Sequence, residues 1–464
     1  MEAYKSALSR LFTAVRVGGS LKLPAVRGGE ALGRVARGGI AALFIYSAGV
    51  GLTYFSQLAI ARILGVDTYG VYAYVFAWMV VLAYFSALGF DVALLRFVPA
   101  YEVQRAWPLL KGVIQYAQQR AIAVGFAVIL IGAIIVMAWA SSPEIRNAFL
   151  VGFVLVPVLA LVRIRCSVVR ALGGVISALA PDRIVRDGLL IGLLGIASLG
   201  LGWTIDASSV MLATLVSAAA GLGSTVLALR RHCPPAMADV LPAYDAAAWR
   251  QAALPLVIAG ATEVLMNRTG VMLLGWIATT KDAGIYSLAF NIALVVTLPR
   301  VAVNTLFAPA ISELYTRNDK VMMQVLVTKT ALWTLCAGIG IAVVLFLLTD
   351  PLLAWFGPGY QAGEPALRIL LFSQVVAAGG GAQLYVMTMT GHESSAAMLL
   401  VSIAIANAIM TAILIIPLGL VGAAVAAGAT LVIWNAAMAL FLWRRLQLVP
   451  GVLAMFRLSI VNTA

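Results

Sequence analysis

The amino-acid sequence predicts an all-α integral membrane protein of about twelve transmembrane helices in two parallel six-helix bundles. Three observations predict it: an apolar composition, twelve long hydrophobic runs, and basic residues gathered on one side. Of 464 residues, 63% are hydrophobic and 11% charged, against about 45–50% and about 25% in a soluble domain. So few charges cannot cover a water-facing surface, so most of the surface must face lipid.

A helix needs roughly 20 apolar residues to cross the hydrocarbon core. Six runs fall in the first half, at 39–61, 70–90, 117–140, 147–168, 176–201 and 209–230. Six more follow at 252–278, 283–309, 325–349, 365–390, 395–416 and 419–443. The runs are continuous, whereas barrel strands alternate apolar and polar residues. The first run is about 23 residues long, too long for a signal-peptide core, and reads as a retained anchor.

The basic residues orient the runs by the positive-inside rule. With the N-terminus in the cytoplasm, 25 of the 31 Lys and Arg flank the inner ends, and only Arg62, Arg146 and Lys281 flank the outer ends. A helix added or dropped mid-chain would invert everything after it and spoil this split. Both termini are therefore expected in the cytoplasm. The same split explains the net charge of +13 by topology and removes nucleic acid as a partner. Cys166, Cys233 and Cys336 are widely spaced, and His232 and His392 are isolated, so neither a disulfide framework, a metal site nor a cofactor is implied.

The chain divides into a basic arm (1–38), a first bundle (39–231), a proline-rich cytoplasmic linker (232–249), a second bundle (250–446) and a cytoplasmic tail (447–464). The arm either lies on the inner leaflet, with Leu8, Leu11, Phe12 and Val15 against lipid, or is disordered. The bundles echo each other. Ile63-Leu64-Gly65 precedes Tyr69-Gly70-Val71-Tyr72, and Leu273-Leu274-Gly275 precedes Ala283-Gly284-Ile285-Tyr286. Each echo joins the first helix of a bundle to its second. Internal repeats mark transporters, and an even number of helices per bundle makes the repeat parallel, with the substrate path between the halves.

These stretches resemble the polysaccharide transporter family. The resemblance extends to Leu88-Gly89-Phe90-Asp91, Leu94-Leu95-Arg96-Phe97-Val98-Pro99, Asn267-Arg268-Thr269 and Ile416-Pro417-Leu418-Gly419. That family belongs to the multidrug/oligosaccharidyl-lipid/polysaccharide exporter superfamily. The resemblance implies a V-shaped pair of bundles that alternates between inward-open and outward-open states in a bacterial inner membrane. It also implies a flippase carrying oligosaccharide on undecaprenyl pyrophosphate to the periplasmic leaflet, beside polymerase or assembly proteins. Many relatives carry an acid where this chain has Thr269 and Gly270, so no role of that acid transfers.

A pyrophosphate head group needs cations along a wet path, and guanidinium suits its geometry. Run seven carries Glu263, Asn267 and Arg268; they line the cavity or form a structural ion pair between helices. Run eight carries Pro299 and Arg300, between Asn291 and Asn304; Arg300 pairs with the head group or snorkels inward. Asp91, Arg96 and Arg120 form the inner mouth or only signal topology. The expected substrate-binding set is therefore Arg268, Arg300, Asn267, Arg120 and Arg96. Glu263 and Asp91 are expected to carry a coupling H⁺ or Na⁺, because no phosphate-binding loop for a nucleotide is present. Arg163, Arg165, Arg170, Arg183 and Arg186 read mostly as topology determinants. Gly379-Gly380-Gly381 is a packing notch or a gate, and Trp107, Trp203, Trp249 and Trp443 read as interfacial anchors.

Two other functions compete. A drug exporter of the same superfamily would favour acidic and aromatic residues, which the basic balance opposes. A membrane glycosyltransferase or polymerase would carry catalytic carboxylates on a large outer loop. The longest outer loop, about 350–364, holds only Asp350 and Glu364, with a turn-like cluster from Trp355 to Gly359.

Overall fold

The computed structural model describes residues 29–140, 142–198, 205–237, 239–317, 319–451 and 454; of some, 29–46 above all, it describes only the backbone. Arm residues 1–28, Trp203, and most of the tail beyond 451 lie outside the described residues, as does the side chain of Asn304. Below, inner and outer name the two membrane sides as the charge split assigns them.

Nine described stretches are long and apolar enough to cross a membrane. Two of them, Ser47–Val103 and Glu393–Leu446, run 57 and 54 residues. As straight helices they would reach about 80 Å or more, over twice the roughly 30 Å core. Each instead reverses at one glycine. Helix α1 (Gly29–Ser86) turns at Gly65, whose φ of 74° is open to a residue without a Cβ. The Tyr69 hydroxyl therefore reaches Gln57 Oε1 at 2.9 Å, twelve residues back. The last long helix turns at Gly419, so that Thr430 donates to Asn407 at 3.0 Å across 23 residues. Counting both reversals adds two spans, and the broken helix over Val175–Ser198 adds a twelfth.

The first half continues with α2 (Phe90–Val103), α3 (Trp107–Trp139) and α4 (Pro143–Ala171). Next come α5 (Val175–Ala180), a π-helical turn (Pro181–Val185), α6 (Arg186–Ser198) and α7 (Ala207–His232). The second half holds α8 (Ala246–Ile277), α9 (Thr280–Ala293), α10 (Leu298–Thr316), α11 (Lys320–Leu347), α12 (Thr349–Phe356), α13 (Glu364–Gly380), α14 (Gln383–Met389) and α15 (Glu393–Phe441). Pro299 has no N–H for the carbonyl of Val295, and a 3₁₀ turn at Leu294–Thr297 bends span eight there. The glycine triplet ends α13, and the backbone breaks at Gly381. The C-terminal strand of chain then seats on that break: Gly451 lies against Gly379, and Gln324 bonds Val449 at both its N–H and its C=O.

The cores show how the halves meet. One apolar cluster joins both halves at the outer end, including Tyr69, Tyr72, Tyr286, Phe356 and Tyr360. At the inner end there are two separate clusters, one formed by the first half with the inner end of α8, around Phe90 and Trp249, and one within the second half, around Phe307 and Met387. Span eight shows the same divergence: α9 packs along α1, whereas α10 packs on α11 and α14. The result is a V-shaped pair of bundles, here closed at its outer end. At its closed end the two echoed glycines touch, since a Cβ on Gly284 would stand 2.6 Å from the Gly70 Cα. One expected interfacial anchor is elsewhere. Trp249 is fully buried where α8 crosses the first half, and its Nε1 donates to the Tyr101 hydroxyl at 3.0 Å.

Candidate functional site

Span seven sends its two charges to different neighbours, as their five-residue spacing requires. Arg268 turns toward the first half, where Tyr69, Tyr72 and Arg186 lie within electrostatic reach. Glu263 turns toward α10 and the inner end of α1, with Arg300 and Tyr84 as its charged and polar neighbours. Arg268 and Arg300 are half-buried. Glu263 is exposed and Asn267 half-buried. Among the described residues, Arg268 has no salt bridge.

The first half contributes a group that the sequence reading assigned to topology. The π turn at Pro181–Val185 inserts one residue before Arg186 and aims it inward. Gly221 lets span six approach the Pro181 carbonyl. Arg186 binds Asp182 at 2.6 Å and Asp187 at 2.9 Å, and the Thr53 hydroxyl donates to the far oxygen of Asp187. Arg186 is thus no topology marker. It stands inside the membrane, opposite Arg268 on the other half. A signal for it exists in the sequence: Asp182 and Arg186 are an i,i+4 pair on the far side of a proline within a hydrophobic run.

Asp91 is 7% exposed and pairs with Arg163 of α4 at 3.1 Å, while the Arg163 guanidinium lies 5.0 Å from the Tyr84 ring centroid. The second Asp91 oxygen and the Arg163 Nε are buried without partners. The Tyr84 hydroxyl rests on α8 against Gly260 and donates to the Leu256 carbonyl at 3.4 Å, which links this pair to Glu263 across the halves. Arg96 and Arg120 do not join these groups. Both are exposed, and Arg120 covers the Tyr116 ring at 5.0 Å. No cluster of three or more candidate metal ligands occurs among the described residues.

Two guanidinium groups thus stand toward each other from opposite halves near tyrosine hydroxyls, and among the described residues Arg268 makes no salt bridge. Such a pair repels itself in a low dielectric and favours an anion between its members.

Neither a family model nor a curated protein matches the sequence. Solved structures do match the fold. The chain is similar to an inward-facing multidrug resistance MATE family transporter of the MOP superfamily: TM-score 0.70, 13% identity, covering 85% of this chain and 94% of that one. It is similar to the lipid II flippase MurJ in an inward closed conformation: TM-score 0.62, 15% identity, covering 88% and 87%. It is also similar to a point mutant of the Vibrio cholerae MATE transporter VcmN: TM-score 0.62, 15% identity, covering 89% and 98%. At such identities the likeness shows the fold alone: an all-α, multi-pass membrane arrangement like that of these proteins. These neighbours are transporters and a flippase rather than enzymes.

Proposed function

We propose that the protein is a secondary-active flippase of the bacterial inner membrane. It moves undecaprenyl-pyrophosphate-linked oligosaccharide from the cytoplasmic to the periplasmic leaflet for surface polysaccharide assembly. The observation that carries this reading is Arg268: an intramembrane guanidinium with no carboxylate partner among the described residues, with Arg186 of the other half within electrostatic reach. An uncompensated charge in the membrane costs at least ~2.5 kcal/mol, and a pyrophosphate between the two arginines offsets that cost. Because the arginines belong to different halves, outward opening separates them and weakens the grip on the anion. Arg300 meets the head group nearer the inner mouth, with Asn267 beside Arg268 and with Arg96 and Arg120 attracting it from the inner surface. Glu263 and Asp91 carry the coupling H⁺ or Na⁺, each exchanging its arginine neighbour for the cation.

The test is flipping of lipid-linked oligosaccharide in proteoliposomes. Arg268→Ala should lower the rate by about tenfold or more, the scale of one lost charge-assisted contact. An unchanged rate overturns the reading. The MATE neighbours favour a second reading, multidrug export. Drug resistance that rises with expression of the protein and survives Arg268→Ala would establish that reading instead.

A further inference from the structure

The internal repeat makes one loop of this protein conspicuous. In the first half the third and fourth spans are joined by residues 140–142 alone, between Trp139 and Pro143. Their counterparts in the second half, α11 and α13, are joined by residues 348–363, which build helix α12 and a 3₁₀ turn at Tyr360–Gly363. A three-residue link suffices for the connection, so the added chain serves another purpose.

Its contacts show which. Phe356 and Tyr360 are fully buried, and they are buried against the other half. The Phe356 ring meets Tyr54 edge-on at 5.4 Å, and the Tyr360 ring meets Tyr69 at 5.8 Å. The Tyr360 hydroxyl donates to the Ala61 carbonyl at 3.3 Å, and Arg62 Nε donates to the Trp355 carbonyl. Gly359 lies over Val66, so the strap straddles the Gly65 reversal from both sides. At its root, Gly363 is seated under Ile285 of α9, and Asp67 pairs with Lys281 at 3.3 Å beside it.

We propose that residues 349–363 are an outer latch: a strap of the second half that docks on the Gly65 turn of the first, holds the outer end shut, and must release for the V to open outward. Its grip combines aromatic burial with two hydrogen bonds, one to the buried Ala61 carbonyl and one from the Arg62 side chain at the surface. The inference concerns the gate and holds for any substrate.

The reporter is Gln57→Cys, one turn before Ala61, half-buried and beside Tyr69, on which the strap packs. It is placed in a full-length chain whose Cys166, Cys233 and Cys336 are replaced by serine. Cells are treated from the outer side with a membrane-impermeant methanethiosulfonate. Adding Tyr360→Ala should speed labelling about tenfold, the opening equilibrium shift for one lost aromatic anchor. Arg62→Gln, a surface change that leaves the core intact, should speed it about threefold through loss of one hydrogen bond. Labelling unchanged in Arg62→Gln and in a monodisperse Tyr360→Ala protein overturns the latch. If Tyr360→Ala does not fold, Arg62→Gln with Phe356→Leu decides by the same readout.

Discussion

At the scale of single residues, the buried pair Asp91–Arg163 offers a stability test that is separate from transport. Removing one member of a fully buried pair costs about 3–5 kcal/mol. Arg163 keeps 39% of its side chain exposed, so Arg163→Ala should cost about 2 kcal/mol, less than the full burial figure. Asp91→Asn in the same chain should recover most of that loss, because no charge is then left unpaired. Thermal unfolding of the purified single and double variants checks this; a double variant as unstable as the sum of the singles removes the pairing. The sequence placed Asp91 and Arg268 but not their partners. Charge, depth and helix face are local properties and can be counted along the chain. Which neighbour a face meets is set by helix packing across 72 residues for Asp91 and 82 for Arg268, and no spacing rule reaches that far. Arg186 was hidden for a different reason: close to Arg183 in the inner part of its run, its value as a topology signal and its value as a buried ion-pair member look alike.

At the scale of elements, the start of α7 is built as a capping box. The Asp206 carboxylate accepts from the Ser209 N–H, and the Ser209 hydroxyl returns to the Asp206 backbone. Partial burial would raise the Asp206 pKa, but the bonds from Ser209 and Ser208 outweigh it and hold the carboxyl below its ordinary value of 3.8. Asp206→Ala should therefore cost about 1 kcal/mol near neutral pH. The sign follows from linkage: a folded-state pKa below the unfolded one gives stability that is full above about 3.8 and lost as pH falls through the lowered value. The gap in unfolding midpoint between wild type and Asp206→Ala should accordingly be constant from neutral pH to about 4 and close below it. A constant gap at all pH values would show that the carboxylate is not the cap. The two tight reversals were legible, because Gly65 and Gly419 fall where two apolar runs meet. Pro299 also marked the bend in span eight, but the π turn and the strap were not legible. Each departs from a regular helix by a few residues, and hydropathy does not register such departures. The strap showed only as a turn-like cluster from Trp355 to Gly359.

At the scale of the whole molecule, the echo between halves proved to be a contact as well as a symmetry. Gly70 and Gly284 occupy matching places in the repeat, and matching places near a twofold axis meet; hence both positions need a residue without a side chain. The hydrophobic runs could therefore give the number of spans and their pairing into halves, while the direction in which the V opens came only from the shared outer core. That core makes a prediction about the complete cycle. Asp67 and Lys281 belong to opposite halves and stand 3.3 Å apart, charge to charge, at the closed end. As a surface pair they contribute little stability, about 0–1 kcal/mol, so Asp67→Cys and Lys281→Cys should each leave transport near its normal rate in a chain free of other cysteines. Joining the two cysteines with a short cleavable bis-maleimide fixes the outer ends at their present separation. If transport requires the halves to part there, the joined protein should still bind its substrate from the inner side but deliver none to the outer leaflet, and cleaving the linker should restore delivery. Delivery that continues with the linker in place, in protein shown to be joined by mass spectrometry, would mean that the two halves need not separate at their outer ends and that the substrate passes by another route.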